Sequence, residues 1–270
     1  MAFDESSIII DHDLDRLGTD DKVLNHVAHV LCEQGQLDFT FNSEPFTLRA
    51  GNSMIVRLQR LIEDKRPSAD LRATVIYVTP EVVEVATPRS NYGIRGSLAL
   101  FHNPIISLNE QQQARLRRDF DEVESRQQHT EHRFREEELY CALQMTFLDF
   151  FDFHAGVDYD RPISARNAEI MAQFIQLLQQ GNYIKHRELN YYADKLCVTP
   201  KYLSEVSKDI SGMGANYWIN RFATIHIRRL LHNRSMSFTQ IADMFEFSSP
   251  SYFNRFVQNH LGKTPSAFRE

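Results

Sequence analysis

The feature that most constrains this chain is that its C-terminal part repeats itself. Set YYADKLCVTPKYLSEVSKDISGMGANYW above QIADMFEFSSPSYFNRFVQNHLGKTPSAF: Ala193-Asp194 falls on Ala242-Asp243, and Val198 on Phe247, at an offset of 49. One inserted residue later the offset becomes 50, and Pro200 falls on Pro250, Tyr202 on Tyr252, Leu203 on Phe253, Gly212 on Gly262, Ala215 on Pro265 and Trp218 on Phe268. Agreement at so many separated positions implies two copies of one supersecondary unit.

The punctuation of each copy says what that unit is. Thr199 and Ser249 suit the N-cap of a helix, and Pro200 and Pro250 then occupy its first position, where a missing N–H costs nothing. Gly212 and Gly262 suit the left-handed residue that ends a helix, and Ser237 with Gln240 forms an S-x-x-Q capping box opening the helix before it. Ala193 and Ala242 are small where two helices would cross closely. Leu203, Val206 and Ile210 fall on one face of the first copy's second helix, as Phe253, Phe256 and Val257 do in the second copy. Helix, tight turn and second helix make a helix-turn-helix, whose second helix enters the DNA major groove and offers its N-terminal residues to base edges. The two copies span about 188–212 and 237–262.

Charge agrees with this once the chain is divided at Pro162. The net charge is -6, which argues against a polyanion partner for the chain as a whole. Residues 163–270 carry 13 Lys+Arg and 8 Asp+Glu, or +5, while the remaining 17 basic and 28 acidic residues give -11. A polyanion partner therefore belongs at the C-terminal end.

Residues 163–270 resemble the DNA-binding domain of AraC/XylS-type transcriptional regulators. SFTQIADMFEFSSPSYFNRFVQNHLGKTPSAFR is similar to the family's I-A, hydrophobe, S-x-F-x-R-F and G-x-[ST]-P-x-x-[FY]-R pattern, and ANYWINRFATIHIRRLLHN to its linker helix. At about 16 residues that helix would span roughly 24 Å, enough to hold two recognition helices near one DNA turn apart. The resemblance departs at Glu246, where the family usually has Gly or Asn in a turn favouring φ > 0, so a strained or differently shaped turn is expected. Glu205 stands where a basic residue is common, and Gln258-Asn259 where a Lys pair is. By position, Ser204, Glu205, Ser251, Asn254 and Arg255 are the expected base readers, Arg255 foremost because Arg pairs bidentately with guanine. Lys201, Tyr202, Lys208, Arg228, Arg229, Tyr252 and Lys263 are the expected phosphate contacts, and Trp218 and Phe268 core.

The rest of the chain reads as a different architecture. Over 1–108, FTFNSEPFTL, SMIVRL, ATVIYVT and EVVEVAT are short runs rich in β-branched and aromatic residues, read as strands of an antiparallel sandwich or barrel. In LDFTFN, Leu37, Phe39 and Phe41 take one face and Asp38, Thr40 and Asn42 the other. Over 109–155, Leu116, Phe120 and Val123, then Leu139, Leu143, Phe147 and Phe150, recur at helical spacing. The family resemblance implies a cupin-like, jelly-roll-like regulatory domain followed by dimerising helices. The first six of these side chains, Leu116 through Phe147, are thus expected either in a homodimer contact or in the chain's own core. Residues 156–162 read as a linker. The fold class is accordingly α+β in two domains, with an all-α double helix-turn-helix at the C-terminus.

Composition limits the other classes. Hydrophobic residues make up 42% and charged ones 24%, the balance of a packed soluble protein. No apolar run approaches the roughly 18 residues that cross a bilayer, the start is acidic, and Cys32, Cys141 and Cys197 fit no disulfide framework or metal knuckle. A cytoplasmic protein without membrane contact and with buried, reduced thiols is expected. A metal-dependent cupin enzyme wants an H-x-H pair, but the β region offers only His12, His26, His29 and His102; nucleotide and hydrolase motifs are missing and GIRG at Gly93 is too weak to use. Neither metal nor cofactor is expected. The reading is a sequence-specific transcriptional regulator acting on double-stranded DNA and with RNA polymerase, modulated by dimerisation or an unidentified small-molecule effector. A cupin-type enzyme, or an interaction protein that has lost DNA binding, remain the alternatives.

Overall fold

The computed structural model describes residues 6–42, 44–87, 96, 98–101, 103–129, 131–155 and 163–269. They fall into two compact units, Met1–Pro162 and Ile163–Glu270. The linker read over 156–162, His102 and Gly93 lie outside the described residues.

The N-terminal unit contains two antiparallel sheets. One is five-stranded, in the order β1 (Ile8–Asp11), β7 (Arg72–Val78), β2 (Val27–Gln34), β5 (Asn52–Val56), β8 (Ile105–Ser107); the other places β3 (Gln36–Phe41) between β4 (Glu44–Arg49) and β6 (Ile62–Pro67). Period-two alternation builds β3 as expected: Leu37, Phe39 and Phe41 are buried and pair with Leu48, Phe46 and Glu44 of β4. Asn42 departs from that alternation. It is buried, has φ 54°, and turns the chain, its N–H donating to the Leu61 carbonyl at 3.0 Å.

The run EVVEVAT is not a strand. Pro80 at the first helical position and the spacing of Val82, Val83 and Ala86 make it α1 (Pro80–Ala86), with those three side chains buried. Here helical period overrides β-branched composition, which is a weak preference that packing reverses. Two long helices follow, α2 (Glu110–Gln128) and α3 (Arg135–Ala155). Asn109 opens α2 with a full capping box: its side chain accepts from the Gln112 N–H, and Gln112 accepts from the Asn109 N–H, both at 2.9 Å.

Both helices pack on the outer face of the five-stranded sheet. Leu116, Phe120, Val123, Leu139, Leu143, Phe147 and Phe150 join Val27, Leu31, Ile55 and Val78 in one apolar cluster, each helical member no more than 4% exposed. The six side chains assigned to dimerisation therefore lie in the chain's own core and leave no surface for a partner. Of the three thiols only Cys32 is buried; Cys141 and Cys197 are exposed, contrary to expectation. Among the described residues no helix is long and apolar enough to cross a membrane.

The C-terminal unit is helical throughout: α4 (Ala165–Gln179), α5 (Leu189–Lys195), α6 (Pro200–Ser211), α7 (Ala215–His232), α8 (Phe238–Met244) and α9 (Pro250–Leu261). Helix α7 is central and buries Ala215, Trp218, Ile219, Phe222, Ala223, Thr224, Ile227 and Leu231, so its buried positions run around more than one face.

One carboxyl pair ties α2 to α3. Asp119 lies against Asp149, which accepts from Arg115 Nε at 2.7 Å. Burial, then the hydrogen bond and like charge of Asp149, push the Asp119 carboxyl up to about 7. The folded chain thus holds this proton more tightly than the unfolded chain, where an Asp titrates near about 4. Its stabilising contribution is present at acid pH and is lost as pH rises through about 7. Asp119→Asn, which cannot ionise, should flatten that loss: urea midpoints of variant and wild type should converge near pH 4.5, with the variant the more stable at pH 8.

Candidate nucleic-acid interface

The two copies of the repeat fold alike to the level of single hydrogen bonds. In the first turn Leu196, Cys197 and Val198 donate their N–H groups to the carbonyls of Tyr192, Asp194 and Ala193. In the second, Phe245, Glu246 and Phe247 donate to Ile241, Asp243 and Ala242, the same pattern 49 residues on. Both turns pass through the left-handed region at a residue other than glycine, Cys197 at φ 53° and Glu246 at φ 50°. The turn at Glu246 therefore has the shape glycine would favour, and bears the strain of a side chain there.

After each turn the second helix is capped identically. Thr199 Oγ1 accepts from the Tyr202 N–H at 3.2 Å and Ser249 Oγ from the Tyr252 N–H at 3.1 Å, with Pro200 and Pro250 following. Gly212 and Gly262 end these helices at φ 75° and 71°. The Ser237–Gln240 capping box opens α8 as expected. Leu203, Val206 and Ile210 of α6 and Phe253, Phe256 and Val257 of α9 face inward, which leaves the opposite face of each helix to solvent.

On α9 that face carries Ser251, Tyr252, Asn254 and Arg255, all exposed, with the Arg255 guanidinium 5.5 Å from the centre of the Tyr252 ring. On α6 it carries Lys201, Glu205 and Lys208, with Lys201 Nζ 3.9 Å from Glu205 Oε1. Two of the expected α6 contacts sit differently. The Tyr202 hydroxyl donates to Asn167 of α4 at 2.7 Å, which uses the proton a phosphate contact would need. Ser204 is half-buried against Gly214, so close that a Cβ added there would lie 3.0 Å from its Oγ. Arg229 and Lys263 are exposed, whereas Arg228 is half-buried. Trp218 is fully buried, its indole N–H donating to Ser211 at 2.8 Å, and Phe268 is half-buried.

A cross-brace between the copies was not legible in the sequence. Arg187, just before α5, donates to the carbonyl of Phe245 in the second turn, and its guanidinium lies 4.1 Å from the centre of the Phe247 ring. Tyr183 packs against Phe222 and Phe245, its hydroxyl 3.1 Å from His226 Nδ1. A residue in the entry to the first copy thus fixes the turn of the second. Nothing local marks Arg187, because its partners lie 58 and 60 residues away.

Residues 192–270 match the family model of a helix-turn-helix domain. The chain is 33% identical over 78 residues to the regulatory protein PocR of Salmonella typhimurium, covering 29% of this chain and 26% of that one. It is 27% identical over 110 residues to the transcriptional regulator ExsA of Pseudomonas aeruginosa, 41% of this chain and 38% of that one. The chain therefore spans only about a quarter to two fifths of the length of these relatives. A solved structure of ToxT from Vibrio cholerae aligns over 97% of both chains at 12% identity and a TM-score of 0.45.

Two substitutions test this geometry. Glu246→Gly should relieve the left-handed strain and stabilise the C-terminal unit by about 1 kcal/mol, read as a raised urea midpoint. Arg187→Met should cost about 2 kcal/mol by removing a charge-assisted hydrogen bond to a backbone carbonyl, and a variant as stable as wild type would refute the brace.

Proposed function

We propose that this chain, whose C-terminal unit carries an AraC-type helix-turn-helix domain, is a transcriptional regulator that reads two neighbouring major-groove segments with one protomer. One observation carries the reading: the turn, cap and helix geometry is duplicated, and each copy directs a polar face of its second helix to solvent on the unit whose sequence is +5. Arg255 is the principal base reader, oriented by Tyr252, with Ser251 and Asn254 beside it on α9. On α6, Lys201 and Lys208 meet phosphate and Glu205 accepts from a cytosine amino group. Tyr252, Arg229 and Lys263 add phosphate contacts.

The N-terminal unit modulates this binding, by an effector or by pairing of two chains, and RNA polymerase is the partner on the promoter. The homodimer proposed here uses the outer face of α3, where Met145 is 65% and Leu148 49% exposed one turn apart, rather than the buried residues first assigned.

Selection of a randomised duplex pool on the whole chain tests the reading. The selected sites should hold a two-part motif about one helical turn apart, with log Kd rising steeply against log salt. Arg255→Ala should weaken binding by about 1–3 kcal/mol and relax the preference at one base pair, while Lys208→Ala should weaken all sequences alike and lower the salt slope by about one. A pool without enrichment would leave the surviving reading as an interaction protein.

A further inference from the structure

The tyrosine in the first turn of each recognition helix is used differently in the two copies. Tyr252 of α9 is 44% exposed with Arg255 beside its ring, whereas the Tyr202 hydroxyl of α6 donates to Asn167 Oδ1 at 2.7 Å. If the two copies meet a duplex alike, the first has to answer the backbone at this place with a group other than Tyr202.

The Tyr202–Asn167 bond draws the first turn of α4 up to the first turn of α6. Ser164 caps α4 by accepting from the Asn167 N–H at 3.1 Å, so Asn167 is fixed through its backbone by the cap and through its side chain by Tyr202. Thr199 caps α6 on the Tyr202 N–H in the same way. Two capped helix starts are thus joined by one hydrogen bond, and a rotation of either start breaks it.

Arg166 precedes Asn167 in the same turn. It is exposed, and no described residue gives it a hydrogen bond or an ion pair. With Thr199 and Tyr202 it lines an open groove of about 520 Å³, so its guanidinium is displayed on the same stretch of surface as the start of α6. That start is the end of a recognition helix that enters a major groove, and an element beside it meets the sugar-phosphate backbone rather than base edges. Asp194 also lines the groove and is its one carboxylate. A free anion gains little beside that carboxylate, whereas a phosphate on a duplex already held by α6 does not depend on the groove alone.

We propose that the first turn of α4 belongs to the DNA-binding surface of the first copy: Arg166 takes a backbone phosphate flanking the segment read by α6, and Asn167 is the positioning residue that holds α6 at a fixed distance from it. A guanidinium fork suits a phosphate in a bidentate contact. Neither residue belongs to a repeat, so the two half-sites are held differently. The second copy keeps its own exposed tyrosine for the backbone, while the first spends its tyrosine on seating α6 and takes its cation from the helix before it. This assignment rests on the DNA-binding function proposed above.

The test uses the whole chain on the best duplex from the selected pool, with binding measured across a salt series and phosphate ethylation interference mapping the backbone contacts. Arg166→Met keeps the length of the stem without the charge. It should leave the urea midpoint unchanged, weaken every duplex alike by roughly five- to tenfold at about 0.1 M salt, and lower the salt slope by about one. One interference signal flanking the α6 segment should vanish with it, and Arg166→Lys, which keeps the charge, should restore the slope. Tyr202→Phe removes only the hydroxyl and Asn167→Leu only its acceptor. Each should weaken that same signal and relax base preference in the α6 segment while the α9 segment keeps its own, and the double variant should be no worse than either. Inorganic phosphate alone should not bind; saturable binding lost in Arg166→Met would make the groove a free-anion site and overturn the assignment to the duplex. A salt slope and an interference pattern unmoved by Arg166→Met overturn the contact and leave the regulator reading standing. Equal losses in both segments on breaking the Asn167–Tyr202 bond overturn the positioning role. A pool that yields no duplex overturns the regulator reading itself, and this contact falls with it.

Discussion

Helix α7 is the part on which the C-terminal unit depends. Ala223, Ile227 and Leu231 on its C-terminal half join Ile241, Phe245, Phe253, Phe256 and Val257 in the core of the second repeat. Trp218 on its N-terminal half is fully buried and held by Ser211 at the end of α6. Neither repeat has enough apolar surface of its own to form a core, so each completes itself on this shared helix. Its 18 residues rise about 27 Å, which separates the two repeats by a rigid rod rather than a linker. Arg187 and Tyr183 brace the same arrangement from the other side, so the spacing of the two recognition helices is held by packing at two places.

How much of this could be read in advance depended on whether the signal was local. Caps, helix-ending glycines and the capping box are decided within four residues, and Thr199, Ser249, Gly212, Gly262 and Ser237 all behave as their types suggest. The β region was harder, because composition and period compete there. EVVEVAT has strand composition and helical spacing, and the spacing prevails once Pro80 starts a helix. Strand β2, VAHVLCEQ, offers no alternation to read: its first six residues are all buried. Long-range features left no trace in the sequence. A small pocket beside the end of α3 is lined by Arg57 together with Phe150 and His154, nearly a hundred residues later, and no spacing rule connects them.

The stability of the N-terminal unit has a different origin from that of the C-terminal one. Its sheet and helices share one apolar cluster that also absorbs the aromatic end of α3, and two titratable groups beside it are held neutral. Asp119 keeps its proton beside Asp149, and His29 gives up its charge.

The exposed faces of α6 and α9 are alike in backbone and unlike in chemistry. On α9 an exposed arginine stacks on an exposed tyrosine beside uncharged polar groups, a surface suited to specific hydrogen bonding in a groove. On α6 the tyrosine at the same repeat position is tied to Asn167 instead, and a carboxylate stands between two lysines. Duplication fixed the fold of both copies through residues that never touch solvent, which left the outer faces free to diverge. The Tyr202–Asn167 bond anchors α6 to α4, the helix that precedes the first repeat as α7 precedes the second, and so the first copy commits its tyrosine hydroxyl to a rigid seat. Under the proposed function, discrimination between bases is then assigned chiefly to α9, and α6 with its lysines and Glu205 to setting register along the duplex.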